Sequence, residues 1–358
     1  MNALGRVLVR RIAADGPMRL SDYMAECLLN PSHGYYATRD PFGAGGDFTT
    51  APEISQMFGE LLGLCLAQAW LDQGRPSPFA LAEIGPGRGT LMADMLRAIR
   101  AVPGMTDAAR VHLVEASPAL RARQGQVLKA EAPQWHDRVE SLPDLPLFLV
   151  ANEFFDALPV RQFERHGDGW AERMVGLRDG WLAPGLGPVT PYPALAHRLA
   201  DTAEGDVVET CPAAGPIARE IARRVARHGG VALIVDYGGR HSLGDTFQAV
   251  KGHAPTDPFA EPGEADLTAH VDFEPLADAI AAAGAAVTAL APQGVFLERL
   301  GIAARAGVLA RGLAGPALQA HLAAHRRLTH PDEMGQLFKV LAAYPKGKAP
   351  PPGLDPAG

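Results

Sequence analysis

Three glycines at alternate positions, Gly85, Gly87 and Gly89, follow a short apolar run, and Glu83 precedes the first of them by two residues. Glycine adopts backbone angles that are strained for other residues, and it lets the backbone approach a ligand closely. At a strand-to-helix connection, this pattern indicates a cofactor site, and a structural turn is the alternative. The spacing G-x-G-x-G differs from the G-x-G-x-x-G of nicotinamide- and flavin-binding folds. All four residues are therefore candidate cofactor contacts.

Glu115 closes the next apolar run of the chain. A carboxylate at the end of the second strand can accept hydrogen bonds from both hydroxyls of a ribose, as the acid of the dinucleotide folds does. The alternative is a solvated charge at the end of a strand. Given the glycines upstream, we interpret Glu115 as a cofactor contact.

Polar and aromatic residues follow a third apolar run: Asn152, Glu153, Phe154, Phe155 and Asp156. The carboxyl ends of parallel strands form the ligand crevice of open sheets. Carboxylates there could hold a cationic acceptor, and aromatic rings could cover it. Asn152, Glu153 and Asp156 are therefore candidate catalytic residues, with Asn152 also a candidate cofactor contact. Alternatively, Asp156 caps a helix and the two phenylalanines belong to the core.

Apolar runs alternate with amphipathic segments along the chain, which favours an α/β fold with a parallel sheet covered on both faces. Ser117 and Pro118 have the types expected at the start of a helix. The predicted strands are residues 79–84, 111–115, 146–151, 230–236, 286–290 and 337–341.

The remaining segments suggest a domain organisation around this sheet. We expect residues 1–75 to form a helical cap or lid region and residues 76–345 to form the main domain. Within the main domain, we expect insertions at about 160–205, 237–272 and 298–330; the first is predicted to be β-rich, with turns at Gly167–Gly169 and Asp179–Gly180, and the last helical. Residues 346–358, which are rich in proline and glycine, are predicted to be disordered.

Nearly the whole chain resembles the MidA family of methyltransferases, whose eukaryotic branch is the mitochondrial complex I assembly arginine methyltransferase. The acid and glycine turn resemble the first motif of class I methyltransferases, whose cofactor has an ammonium group to neutralise. The stretches that carry the resemblance are residues 30–36, 46–55, 58–60, 83–91, 114–118, 151–159, 235–238, 266–273 and 334–340.

The resemblance implies a class I, Rossmann-like methyltransferase fold: a seven-stranded, mostly parallel sheet with an N-terminal helical region and insertions. It implies S-adenosyl-L-methionine as the methyl donor. For the mitochondrial branch, it implies symmetric dimethylation of an arginine in a core subunit of respiratory complex I. A protein arginine is therefore the expected acceptor. The alternatives are an assembly chaperone of the same fold without turnover and, with less support, a nicotinamide-dependent oxidoreductase.

The resemblance also gives a meaning to the glycine-rich stretch 42–53. Such a segment could fold over the cofactor as a lid and exclude water from it. Asp47, Thr49 and Pro52 then become candidate cofactor contacts, and Glu53 a candidate contact of the cofactor or acceptor. A surface loop followed by a helix start is the alternative.

Composition excludes several functional classes. The 358 residues carry a formal net charge of −7, which argues against a nucleic-acid-binding protein. The three cysteines have no metal-ligand spacing, so we expect no metal. No apolar run approaches the ~20 residues of a membrane span. The N-terminus does not resemble a transit peptide, so we expect the bacterial cytoplasm, and a mitochondrion only if such a peptide is missing from this sequence.

Overall fold

The computed structural model describes residues 1–38 and 50–357. The chain folds into two compact units, each assembled from separate segments of the sequence. Among the described residues, the first unit contains 1–38, 156–214 and 241–272. The second contains 50–155, 215–240 and 273–357.

Helices and strands alternate through much of the second unit, as the apolar runs predict. The α-helices are α1 (Ala3–Asp15), α2 (Leu20–Leu29), α3 (Tyr35–Thr38), α4 (Ala51–Ile54), α5 (Gln56–Asp72), α6 (Thr90–Ile99), α7 (Met105–Ala108), α8 (Pro118–Val127), α9 (Ala214–His228), α10 (Phe273–Ala282), α11 (Gln293–Arg299), α12 (Ile302–Leu309) and α13 (Gly315–Thr329). The strands are β1 (Met18–Arg19), β2 (Phe79–Ile84), β3 (Ala109–Val114), β4 (Gln134–His136), β5 (Leu147–Asn152), β6 (Arg161–His166), β7 (Gly169–Arg178), β8 (Trp181–Thr190), β9 (Val207–Thr210), β10 (Gly230–Gly239), β11 (Gln248–Lys251), β12 (Ala254–Thr256), β13 (Asp266–Thr268), β14 (Val271–Asp272), β15 (Ala286–Val287), β16 (Ala291–Pro292) and β17 (Phe338–Tyr344).

The second unit is built on a sheet whose main path runs β15-β17-β10-β5-β2-β3-β4. The neighbours from β10 to β4 are parallel, whereas β17 is antiparallel to both β10 and β15. The predicted seven-stranded, mostly parallel sheet is therefore confirmed. Its carboxyl edge gathers the ends of β2, β3 and β5, which carry the candidate site residues.

Close helix packing covers the face of this sheet that carries Leu81 and Val150. Helices α5 and α6 approach so closely that a Cβ atom on Gly59 would lie 2.6 Å from the Cβ of Asp94, and one on Gly63 would lie 2.9 Å from the Cα of Met95. Only glycine at these two positions allows the two helices to approach so closely.

The predicted strand 286–290 is shorter than expected. After β15, Thr288 Oγ1 accepts a hydrogen bond from the backbone N–H of Ala342, in place of a backbone carbonyl. The ladder with β17 resumes only at β16. The side-chain acceptor therefore interrupts the ladder after the first two residues of the predicted strand, and β16 follows that strand.

The first unit contains a sheet in the order β1-β7-β6-β9, with β8 paired to β7, and a smaller sheet in the order β12-β11-β13. The predicted β-rich segment is thus confirmed, and its two turns connect β6 to β7 and β7 to β8. Asp179 and Gly180 both have positive φ, at 53° and 81°, as a tight hairpin turn requires. The core of this unit includes Tyr23, Met24 and Leu28 of α2.

The end of the chain differs from the disordered tail expected of residues 346–358. Leu354 is buried, and the backbone carbonyl of Asp355 accepts a hydrogen bond from the N–H of Ala289. The proline and glycine content of this segment suggested disorder. However, the buried Leu354 and a few backbone hydrogen bonds attach residues 354–357 to the second unit. No helix of the described chain is both long and apolar enough to cross a membrane.

Candidate functional site

The glycine turn joins the end of β2 to the start of α6. Gly85, Gly87 and Gly89 have φ angles of 65°, 50° and 84°, which favour glycine, and Gly89 is the N-cap of α6. A Cβ atom on Gly85 would also lie 3.2 Å from the Cδ2 of Phe154. The turn therefore depends on glycine at each of the three positions, as the sequence predicts.

Glu115 follows β3 and lies beside this turn. Its Oε1 accepts a hydrogen bond from the backbone N–H of Ser117 at 2.8 Å, and its Oε2 accepts one from Nε2 of Gln124 at 3.2 Å. Burial raises the pKa of the carboxyl group, and these two donors oppose that shift. Each carboxylate oxygen can accept more than one hydrogen bond, so the group keeps capacity for two further hydroxyl donors.

Gln124 is a site residue that the sequence analysis missed. Its side chain is fully buried on α8, and Nε2 also donates to the carbonyl of Gly87 at 2.8 Å. Its Oε1 accepts a hydrogen bond from Trp135 Nε1 at 2.8 Å. Gln124 therefore connects the glycine turn to Glu115. The signal was a glutamine four residues after Leu120, on the buried face of a helix.

Glu83 and Asn152 lie at the ends of neighbouring strands, and both are buried. Glu83 is paired in register with Val150, so the pleat places Glu83 and Asn152 on the same face of the sheet. Burial, reinforced by the charges of Glu115 and Asp94, raises the pKa of Glu83 to about 8. Glu83 Oε2 and Asn152 Oδ1 accept no hydrogen bond from the residues that the structure describes.

Glu153 occupies a strained backbone position immediately after β5. Its φ of 50° lies in the left-handed region, which is uncommon for a residue with a side chain. Its Oε1 accepts hydrogen bonds from Nδ2 of Asn152 and from the backbone N–H of Ala51 at the start of α4, each at 3.1 Å. Glu53 of the same helix accepts a hydrogen bond from Thr90 Oγ1 at 2.6 Å. These contacts bring α4 to the exit of β5.

Asp236, at the end of β10, fixes the turn that follows Glu153. Its Oδ2 accepts hydrogen bonds from the backbone N–H groups of Phe154 and Phe155, at 3.2 and 2.9 Å. The two phenyl rings form an edge-to-face pair with centroids 5.2 Å apart, and Phe155 is buried. The sequence analysis gave Asp236 no role, because this contact joins two strands that are 82 residues apart.

The other predicted site residues are distributed differently. Asp156 belongs to the first unit, where its carbonyl accepts a hydrogen bond from Ala269 N–H. There it also lies near Tyr36, whose pKa is raised by burial, Asp266 and Asp156. Pro52 is buried in the first turn of α4. Asp47 and Thr49 lie outside the described residues.

The arrangement in the second unit suits a nucleoside that carries a cationic group. Positive-φ glycines present the backbone, Glu115 offers acceptors for hydroxyls, and Glu83 and Asn152 offer two buried oxygens for N–H donors. In the described part of the chain, no three His, Cys, Asp or Glu side chains are grouped so that they could hold a metal ion.

Comparison with known proteins gives three findings. The family described as "Putative S-adenosyl-L-methionine-dependent methyltransferase" matches residues 61–291. The protein arginine methyltransferase NDUFAF7, mitochondrial, of Xenopus tropicalis is 36% identical and covers 97% of this chain and 87% of its own length. The human protein of that name is 37% identical, with coverages of 95% and 83%.

A solved structure is similar over almost the same span. A Burkholderia thailandensis protein crystallised with S-adenosyl-homocysteine superposes with a TM-score of 0.82 and 32% identity. The match covers 98% of this chain and 94% of that chain. The similarity therefore extends beyond the matched residues 61–291 to both units.

Proposed function

Since the chain belongs to this family and is an S-adenosyl-L-methionine-dependent methyltransferase, we propose that it methylates an arginine side chain of a protein. The names of the NDUFAF7 relatives support an arginine acceptor. Following the resemblance to the MidA family, the proposed acceptor is a core subunit of respiratory complex I. The proposed location is the bacterial cytoplasm, although the relatives are named as mitochondrial.

The proposed cofactor site consists of residues of the second unit. The glycine turn gives close backbone access to the ligand, and Glu115 accepts hydrogen bonds from the ribose hydroxyls. Glu83 and Asn152 receive the ammonium group, because each keeps a buried oxygen without a described donor. Gln124 fixes the position of Glu115 relative to the glycine turn through hydrogen bonds to both. Asp47, Thr49 and Pro52 remain proposed contacts from the sequence.

The observation that carries the proposal is Glu153. A residue with a side chain in the left-handed region costs about 1–2 kcal/mol of strain, and such strain concentrates at functional sites. Asn152 and Ala51 fix its carboxylate at the carboxyl edge of the sheet. A guanidinium is always protonated in water, and a carboxylate holds it through charged hydrogen bonds. Glu153 is therefore the proposed acceptor-binding carboxylate.

The chemistry requires little beyond positioning. S-adenosylmethionine supplies a methyl group already activated on a sulfonium sulfur. The carboxylate of Glu153 orients the guanidinium so that one nitrogen faces this methyl group in line. As the new N–C bond forms, the bond between the methyl group and sulfur breaks and leaves a neutral thioether. The nitrogen then loses a proton to water, and Glu153 stabilises the additional positive charge until that proton has left. Asp156 remains a proposed second carboxylate from the sequence.

The test is transfer of labelled methyl groups from S-adenosylmethionine into a lysate of a strain lacking this gene. We expect one labelled protein band, with the label on arginine by mass spectrometry. Glu153→Gln keeps an oxygen for Ala51 and Asn152 but removes the charge, and we expect at least ~100-fold slower transfer. Cofactor affinity should stay within about threefold.

The matched control is Glu131→Gln, which removes a carboxylate of the same unit that pairs with Arg100 away from the site. It should transfer methyl groups at the wild-type rate. If Glu153→Gln also transfers methyl groups at the wild-type rate, the proposed role of Glu153 is wrong. If the wild-type protein binds the cofactor but labels nothing, the chain acts as an assembly chaperone without turnover.

We further propose that the insertion strands of the first unit recognise the acceptor protein. A cavity of about 370 Å³ in this unit is lined by apolar side chains that include Leu186, Phe247 and Phe259. On its polar side, the guanidinium of Arg173 donates hydrogen bonds to the carboxylates of Glu164 and Asp245. Phe247→Ala should therefore raise the KM for the protein acceptor and leave cofactor affinity unchanged. An unchanged KM would remove this cavity from the proposed recognition surface.

A further inference from the structure

Two buried oxygen atoms at the carboxyl edge of the sheet lack hydrogen-bond donors among the described residues: Glu83 Oε2 and Asn152 Oδ1. Glu83 is 3% exposed and Asn152 is 7% exposed, so water has little access to either group. The register of β2 and β5 places both side chains on one face of the sheet. Buried acceptors are normally paired in folded proteins. The pair therefore points to a ligand that brings its own N–H donors.

The charged groups around Glu83 do not supply a counter-ion. Glu115 and Asp94 add negative charge, while the backbone N–H of Met92 gives partial relief. Arg97 is already engaged by Asp94 and Glu60. Other charged residues on the surrounding elements are Arg88 in the glycine turn, Glu53 on α4 and Glu153 after β5. Among the described residues, Glu83 itself makes no ion pair.

These surroundings determine the charge of Glu83. With its pKa raised to about 8, the carboxyl group is roughly 90% protonated at pH 7, whereas an ordinary glutamate is fully ionised there. An adjacent cation would reverse this preference, because a nearby positive charge favours the ionised carboxylate.

We propose that the Glu83 carboxyl is neutral in the free protein and loses its proton when the ammonium group of the cofactor binds beside it. The O–H bond of the acid breaks, the proton passes to the buffer, and the carboxylate forms an ion pair with the ammonium. Asn152 Oδ1 accepts a second N–H of the same group. Cofactor binding is thereby coupled to proton release. The inference depends on the cofactor and not on the arginine acceptor.

The coupling has a calculable size. At pH 7, Glu83 releases about 0.9 proton, because a group with a pKa of about 8 is roughly 90% protonated there. The ligand's amino group is that of a free amino acid, and its neighbouring carboxylate keeps it protonated at pH 7, so it contributes little. The net release is therefore about 0.9 proton for each S-adenosylhomocysteine bound. Affinity should rise about ninefold between pH 6 and pH 7, and the rise should level off above pH 8, where Glu83 is already ionised.

Calorimetry of the full chain tests this directly. S-adenosylhomocysteine is titrated at pH 7 in phosphate and in Tris buffer, whose ionisation enthalpies differ, so that the difference in heat gives the protons released. We expect a release of about 0.9 proton. 5′-Methylthioadenosine has the same nucleoside and sulfur but no amino acid, and it should release fewer than about 0.1. Equal release by the two ligands, or none by the first, would overturn the proposal.

Two variants identify the group that releases the proton. Glu83→Gln should abolish both the proton release and the rise in affinity between pH 6 and pH 7. Glu115→Gln is the matched control, because it removes a neighbouring, partly exposed carboxyl whose charge adds only a minor part of the shift at Glu83. This variant should bind more weakly but still release most of the proton. If Glu115→Gln abolishes release instead, the assignment to Glu83 is wrong. Should Glu83→Gln fail to fold, the two ligands on the wild-type protein decide the question.

Discussion

Gln124 offers the sharpest test of how the candidate cofactor site is held together. Gln124→Met keeps the length and most of the volume of the side chain but removes three hydrogen bonds. The three groups left behind are the Gly87 carbonyl, Glu115 Oε2 and Trp135 Nε1. All three residues are partly exposed, so water can replace some of what is lost. We therefore expect a total loss of about 2 kcal/mol of unfolding free energy. Three fully buried groups left unpaired, at ~1–3 kcal/mol each, would cost more than this.

The effect on cofactor binding should exceed what lower stability explains. Without Gln124, Glu115 Oε2 loses a donor, and the glycine turn loses its hydrogen bond to α8. We expect Kd for S-adenosylhomocysteine to rise about 10- to 100-fold, which corresponds to roughly 1.4–2.8 kcal/mol. The assays are calorimetry for Kd and urea unfolding for stability, both at pH 7.

Gln293 provides the control, because it is also fully buried and lies in the same unit. Among the residues that the structure describes, its Nε2 donates to one acceptor, the carbonyl of Leu328. Gln293→Met should lower stability by about 1–3 kcal/mol and leave Kd unchanged. Wild-type affinity in folded Gln124→Met, or equal loss of affinity in both variants, would refute the role given to Gln124.

Three further predictions concern strain, buried charge and glycine. Glu153→Gly should be about 1 kcal/mol more stable than Glu153→Ala in urea unfolding, because both lose the carboxylate and only glycine relieves the positive φ; the reverse order would remove the strain argument. Burial raises the pKa of Glu83 from 4.5 to about 8, so the folded wild type loses stability as pH rises through that interval. Glu83→Gln without cofactor should therefore match the wild type at pH 5 and exceed it at pH 8 by on the order of 2–4 kcal/mol in urea unfolding, and parallel pH profiles would contradict this. Gly85→Ala should weaken cofactor binding in calorimetry, because Gly85 has a positive φ and an added Cβ atom would contact Phe154. Gly307→Ala, in open space within α12, should leave cofactor binding unchanged and add about 0.5–1 kcal/mol of stability. Equal cofactor affinities for the two alanine variants would contradict the role of the glycine turn in binding.

The parts of the fold that the sequence predicted are those with a local cause. The run 79–84 is apolar at every position except Glu83, so it could form only a buried strand. The glycines after it have the φ angles that their type favours. Ser117 and Pro118 start α8 as expected, with Ser117 Oγ accepting a hydrogen bond from Leu120 N–H. Each of these predictions required knowledge of only a few neighbouring residues.

The site residues that were missed depend on contacts between distant segments. Gln124 acts through Gly87, 37 residues away, and Asp236 acts through Phe154, 82 residues away. Glu153 combines a left-handed backbone with a hydrogen bond from Ala51, which lies 102 residues away, and its sequence neighbours predict neither feature. Asp156 shows the converse: it is three residues from Glu153 in sequence but belongs to the other unit. Proximity in sequence suggested that Glu153 and Asp156 act together, but the two residues belong to different units.

The alternation of the chain between the two units has a consequence for its synthesis on the ribosome. Strand β10 lies in the middle of the sheet, but its antiparallel partner β17 emerges from the ribosome about 100 residues later. Until then, one edge of a strongly apolar strand stays exposed, and such edges template aggregation. The first unit likewise needs residues up to 272 before it is complete. A nascent chain of this protein should therefore remain a client of ribosome-associated chaperones until β17 has been released.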